Sequence, residues 1–235
     1  MVVRYTKNIY HLPQLKNCKH VFRDRTHAGR CLADMIGKSE GAVLGIPAGG
    51  IPVAVVVTTV LGLPMDVAVV SKITLPWNTE AGYGAVAFDN TMRLNRKLVG
   101  HLGLTEKQVQ SGIRKTTEKV SHRKKRFKSA HPMLDLKGKS ALVVDDGLAS
   151  GFTMRAAVEA LKNAGIEQLI VAVPTGYESA VHDIAPHVSA VYCANIRSGR
   201  RFAVADAYQA WTDVTDDDVE TILKASGNLP VSDHF

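Results

Sequence analysis

Short apolar runs rich in Val and Ile recur along the chain, each followed by Gly or polar residues and then by a stretch with helical spacing. The runs are Ala42 to Ile46, Val67 to Val70, Ala141 to Val144, Leu169 to Val173 and Val188 to Cys193. Uninterrupted apolar runs of this kind suit strands covered on both faces, and their alternation with helices predicts βαβ crossovers. The expected fold class is therefore α/β, with a mainly parallel central sheet flanked by helices.

The helical stretches are legible from their own periodicity. From Thr26 to Gly37, Cys31, Leu32, Met35 and Ile36 share one face, and Gly37 stands where a C-terminal cap belongs. From Thr105 to Phe127, Val109, Ile113, Val120 and Phe127 mark one stripe on a helix otherwise crowded with Lys and Arg. Met154, Val158 and Leu161 repeat between Gly151 and Gly165, and the stretch from Thr215 to Lys224 opens on carboxylates and closes on a lysine, as the helix dipole favours. Pro52 to Leu61 is largely β-branched and has the propensity of a strand. Its Pro lies just after Gly49-Gly50 at a plausible first-turn position, so a buried helix is predicted instead. Thr74 to Asn95 carries no clear period and predicts a long, irregular, flexible loop between the second strand and the basic helix.

Composition narrows the class. The 235 residues suit one large domain spanning 1–235, and 46% apolar with 22% charged residues excludes collagenous, disordered and disulfide-scaffold chains. A net charge of +7 and a pI near 9.3 favour anionic partners without choosing among them. Cys18, Cys31 and Cys193 have no C-x-x-C spacing and the histidines no zinc pattern, so no protein-held metal is expected. A reducing, cytoplasmic setting follows. The N-terminus lacks the apolar segment of a signal peptide, and the most apolar window, Ile51 to Met65, is broken by Pro52, Gly62 and Pro64. It falls short of the ~20 residues that span a bilayer, so no membrane insertion is expected.

The strongest chemical signal is ALVVDDGLASGFT, Ala141 to Thr153. An apolar strand ends at two adjacent carboxylates, and a loop with Gly147, Ser150, Gly151 and Thr153 then opens a helix. Glycines admit close backbone approach, amides at a helix start point outward, and hydroxyls add donors, which together suit a phosphate. Asp145 and Asp146 are placed to accept from paired sugar hydroxyls. A turn with a helix cap would use one such carboxylate; a second, directly after four apolar residues, is costly to desolvate.

This stretch resembles the phosphoribosyl-pyrophosphate (PRPP) motif of the type I phosphoribosyltransferases. The resemblance implies that Asp145 and Asp146 hold the ribose hydroxyls. It implies that Gly147, Leu148, Ala149, Ser150, Gly151, Phe152 and Thr153 cradle the 5-phosphate. Further pieces fall in the family's order from about Val21 to Val219. Ile46-Pro-Ala-Gly-Gly50 is similar to the family's pyrophosphate turn, giving Ala48, Gly49 and Gly50 that role. Lys72, after Ser71, matches a pyrophosphate-side cation. Thr74 to Asn95 matches the mobile catalytic loop, in which Glu80 is the candidate proton handler and, with Lys72, the candidate catalytic pair. The segment from about 195 to 214 resembles the hood over the base, with Phe202 against the ring and Tyr208 and Trp211 as packing residues. Ala149 stands where hypoxanthine-guanine members carry an acid, and the whole pattern is most similar to phosphoribosyltransferases of unassigned substrate.

The resemblance implies transfer of a phosphoribosyl group from PRPP to a nitrogen acceptor, a nucleobase by preference, with release of pyrophosphate. Mg²⁺ bound mainly through PRPP and a homodimer are implied with it. The alternative is a PRPP-sensing regulator that binds nucleic acid through the basic run Arg114 to Lys128, where eight Lys and Arg face Glu118 alone. A solvated helix face that raises the local positive potential is the plainer reading of that run, and nucleic acid is not an expected partner.

Overall fold

A computed structural model describes residues 1–130, 134–199 and 201–226, without the side chains of Thr79 and Glu80. The chain opens with β1 (Val3–Thr6) and β2 (Ile9–His11), followed by α1 (Arg25–Ile36), β3 (Ala42–Gly45), α2 (Gly50–Leu61) and β4 (Met65–Val67). It continues through β5 (Val70–Leu75), β6 (Asn78–Ala87), β7 (Met92–Leu94), α3 (Arg96–His101) and α4 (Glu106–Ala130). The remaining elements are β8 (Ser140–Val144), α5 (Phe152–Asn163), β9 (Gln168–Tyr177), α6 (Glu178–Ile184), β10 (Ala190–Arg197) and α7 (Asp216–Ser226).

The main sheet has the order β1-β2-β10-β9-β8-β3-β4, parallel throughout except for β1 on β2. Its strands are apolar on both faces because both faces are covered. Leu44 and Val143 point into a core shared with α5 and α6, while their neighbours Val43 and Leu142 point into a second core shared with α1 and α2. The β-branched stretch after Gly50 is helical, as its entry through Pro52 predicts, with Ile51, Val53, Ala54 and Val57 fully buried. Here tertiary burial outweighs strand propensity.

Strand order places the binding crevice. From β3 the chain moves outward to β4, then crosses back to lay β8 on the other side of β3. The connections after β3 and β8 thus diverge, which opens a gap at the carboxyl ends of those two strands, the position where open α/β sheets receive ligands.

Two expectations are corrected. The run Val67 to Val70 is not one strand: the main sheet takes Met65–Val67, and Val70 begins β5 in a separate antiparallel sheet of order β5-β6-β7. The insertion from Thr74 to Asn95 is accordingly not irregular. Ser71, Ile73 and Leu75 are buried on one face while Lys72 on the other is exposed, so β5 offers one face to α4, and ladder shifts at Ile73/Thr74 and Thr74/Leu75 blur the period that would have revealed it. The N-terminal extension is also ordered by long-range pairing. Asn17 donates its amide to Ile196, Phe22 to Ala207, and the amides of Gln209 and Ala210 return to Phe22 and Arg23.

Candidate active site

The gap between β3 and β8 is a cleft of about 560 Å³. Its floor is the turn Ile46 to Gly49; one wall is Asp145 to Gly151 with Thr153, and the other is Ser71, Lys72, Thr74, Ala81 and Gly82, with Lys119 and Arg123 from α4. Asp145, Asp146, Gly147, Leu148, Ala149, Ser150, Gly151, Thr153, Ala48, Gly49 and Lys72 are therefore brought together around one space.

Strand β8 ends at Val144 and delivers the two carboxylates to the cleft edge. The Asp146 amide donates to Asp145 Oδ1 at 2.8 Å. Burial and the adjacent Asp146 carboxylate push the Asp145 carboxyl well above the usual range. Burial also raises Asp146, but Arg25 opposes it. Both the Arg25 Nε and the Nη2 donate to Asp146 Oδ2, at 3.0 and 2.9 Å, and Nη1 donates to the Thr212 carbonyl at 2.8 Å. Arg25, 9% exposed, also lies 4.0 Å from the Trp211 ring centre, and the Tyr208 hydroxyl donates to the Asp146 carbonyl at 2.6 Å. One carboxylate is thereby tied to the first turn of α1 and to the 208–212 segment at once.

The floor fits the same carboxylate closely. A Cβ on Gly49 would stand 1.9 Å from Asp146 Oδ2, so no larger residue fits there without displacing the acid. The Pro47–Ala48 peptide is cis. Gly50 departs from its expected role, since its amide donates to the Ile46 carbonyl at 3.0 Å as α2 begins.

In the loop after β8, Gly151 takes a left-handed conformation (φ 77°) just before the first residue of α5. Ser150 is exposed and Thr153 half-buried at the cleft. Two expected cradle residues also serve the scaffold. The Leu148 amide donates to Thr175 at 2.9 Å and its side chain is buried, and Phe152 packs on the core beneath α5 without lining the cleft. Phe202 also stands outside the lining residues; its ring lies 5.6 Å from Tyr177 and 5.1 Å from the Arg197 guanidinium. The backbone of Glu80 lies in β6, while its side chain is outside the described residues.

Sequence reasoning missed Arg25, Lys119 and Arg123, and took Tyr208 and Trp211 for packing alone. Arg25 directly follows Asp24, whose carboxylate caps α1 by accepting the His27 amide at 2.7 Å, so its place at a helix start was the available signal. For Lys119 and Arg123 the signal was their i, i+4 spacing within the basic run.

Among the described residues no cluster of three or more His, Cys, Asp or Glu is arranged to hold a metal, and no helix is long and apolar enough to cross a membrane. Burial pushes the Cys193 thiol far up, which leaves it a small hydrophobe.

Known proteins resemble the chain in sequence and in fold. Residues 7–192 match the phosphoribosyl transferase domain. A Mycobacterium tuberculosis protein whose name assigns it provisionally to the phosphoribosyl transferases is 34% identical over 206 residues, covering 86% of this chain and 46% of its own length. The chain thus spans about half the length of the curated relatives it matches. The crystal structure of TT1426 from Thermus thermophilus superposes with a TM-score of 0.67 at 31% identity, covering 88% of this chain and 99% of that one. The match across most of the length, on a fold whose crevice gathers the paired carboxylates and the glycine loop, places this chain in the phosphoribosyl transferase domain family.

Proposed function

We propose that the chain transfers a phosphoribosyl group from PRPP to a nitrogen acceptor, a nucleobase by preference, and releases pyrophosphate. The observation that carries this reading is the convergence of Asp145-Asp146, the loop from Gly147 to Gly151 and the Ile46–Gly49 turn on one cleft at the switch point of the sheet. Asp145 and Asp146 accept from the ribose hydroxyls. The amides from Ala149 onward, with the Ser150 and Thr153 hydroxyls, hold the 5-phosphate at the start of α5. Ala48, Gly49 and Lys72 face the pyrophosphate. Glu80, on the strand that brings Ala81 and Gly82 to the cleft, handles the acceptor's proton, and the segment 195–214 around Phe202 covers the base. Bond exchange at C1 passes through an oxocarbenium-like state, so the protein's work is to fix the reactants, exclude water and balance the departing charge.

The residues fit Mg²⁺ held mainly through PRPP. Asp145 and Asp146 are hard oxygen donors whose mutual repulsion and burial favour a nearby cation. When bound, Mg²⁺ supplies positive charge to the pyrophosphate oxygens.

The regulatory alternative draws less support. Arg123 and Arg126 of the basic run are spent on the acidic start of α7, where Arg123 meets Asp216 at 2.6 Å and Arg126 meets Asp217 and Glu220. Lys124 reaches the Phe88 carbonyl at 3.3 Å, and Lys119 lines the cleft, so the run does not form one continuous basic face. The test is pyrophosphate release from PRPP and Mg²⁺ across a panel of purines, pyrimidines and other nitrogen acceptors. Turnover with one acceptor is expected. PRPP binding without turnover on any of them, joined to nucleic-acid affinity that falls steeply with salt, would install the regulator instead. A cytoplasmic homodimer belongs to the same proposal, and sedimentation reads the oligomeric state.

A further inference from the structure

Helix α4 brings like charges together at the cleft. Lys119 and Arg123, one turn apart, line it alongside Lys72 of β5. Arg123 is 9% exposed and fixed on two sides, by Asp216 through Nε (3.0 Å) and Nη2 (2.6 Å), and by the buried Ser71 hydroxyl through Nη1 (3.1 Å). The Lys72 stem lies over Gly82, where a Cβ would stand 2.2 Å from Lys72 Cγ. Lys119 is itself exposed, yet desolvation against the wall, then the neighbouring Arg123 and Lys72, pull its ammonium below the ordinary lysine value, against the opposing pull of Asp216. Asp216 is already held by Arg123 through two bonds. A solvated helix face would spread such charges apart, and α4 does so with Lys115 and Lys125, which line no part of the cleft. Crowding cations on the wall opposite a phosphate loop is favourable when a polyanion enters between them.

We infer that Lys119 is a pyrophosphate-binding residue, held to that task by the Ser71–Arg123–Asp216 anchor, so that α4 supplies a cationic contact to the diphosphate of PRPP. The inference rests on the PRPP reading of the cleft and adds to it a residue from an element outside the motif. Lys119 donates to the diphosphate oxygens, while Arg123 is the positioning residue that fixes the wall's charge and its distance from β5. The 5-phosphate, on the far wall beyond the ribose, is not touched by α4.

The experiment is titration calorimetry of the whole chain with PRPP, inorganic pyrophosphate and ribose 5-phosphate, each with Mg²⁺, for the unaltered protein, Lys119→Gln and Lys119→Arg. Removing one charged donor should weaken PRPP and pyrophosphate by about 10- to 100-fold. Ribose 5-phosphate, which lacks the diphosphate, should stay within about twofold, and Lys119→Arg should recover most of the loss. Equal weakening of all three ligands, or none, overturns the role of Lys119 while leaving the PRPP reading intact. An unaltered chain that binds neither PRPP nor ribose 5-phosphate overturns both. Melting curves of both variants separate a misfolded chain from a lost contact, because Lys119→Arg keeps the charge and the stem.

Discussion

The two walls of the cleft are built in opposite ways. The wall after β8 is contiguous, with Asp145 to Thr153 running from the end of one strand into one helix. The opposite wall is assembled from β5, β6 and α4, whose contributors Ser71, Gly82 and Arg123 meet only because a small second sheet packs under a long helix. Arg25 joins the first wall from more than a hundred residues away. The contrast separates what a local stretch of chain can encode, a loop with the right donors, from what only packing can encode, the charge that faces it.

The largest effect should come from the contiguous wall. Asp145→Asn with Asp146→Asn removes both carboxyl groups facing the ribose, and pyrophosphate release from PRPP should fall by about 10³-fold or more. The same wall is unfavourable when empty. Burial and Asp146 raise the folded pKa of Asp145, so the stability this group contributes is full below its unfolded value and is lost as pH rises through the raised one. Asp145→Asn keeps the acceptor for the Asp146 amide, so its ligand-free melting temperature at neutral pH should exceed that of the unaltered protein. Persistent turnover in the double variant, or a lower melting temperature in the single one, would break the account of this wall.

Gly49→Ala tests the floor between the walls. Its Cβ would lie 1.9 Å from Asp146 Oδ2 and must displace a carboxylate that Arg25 holds. PRPP affinity should fall by about 10²-fold, with an overpacking loss of roughly 1–3 kcal/mol in urea unfolding. Next in size is Arg25→Gln, with roughly a tenfold rise in KM for PRPP. Arg25 favours the ionised form of Asp146, so without it the carboxyl titrates higher. The acid limb of kcat/KM against pH should therefore move to higher pH, and an unmoved limb would reduce Arg25 to a strut between α1 and Trp211.

Legibility in the sequence followed the same division. Four of the five apolar runs, the paired acids and the buried helix after Gly49-Gly50 could be read because each depends on residues near one another in the chain. Tertiary context erased the rest. Val67 to Val70 looked like one strand because a change of sheet leaves no mark in hydropathy. The β5–β6 hairpin escaped because its ladder shifts twice within three residues, and strand alternation survives only in uninterrupted registers. Leu148 fitted the phosphate loop by position, yet its amide belongs to Thr175, a partner that no local pattern reveals. The basic run was visible as charge, but the division of its cations among α7, Phe88 and the cleft depends on helix rotation, which only the packing of Val109, Val120 and Phe127 fixes.

That division yields the smallest expected effect and the sharpest control on the assembled wall. Lys115 and Lys125 share α4 with Lys119 and are exposed as it is, but they line no part of the cleft. If α4 acted on the ligand through its summed field, neutralising any of its lysines would weaken PRPP binding comparably, and added salt would erase the difference within a Debye length of about 8–10 Å. If contact decides, Lys115→Ser with Lys125→Ser should alter PRPP affinity by no more than about twofold at 0.15 M salt, an effect that fades further with ionic strength. Two charges are removed there against one in Lys119→Gln, so a simple sum of charge predicts the reverse ranking. Calorimetry at two salt concentrations separates the two cases, and a double variant as weak as Lys119→Gln would return the whole helix to the role of a diffuse positive surface.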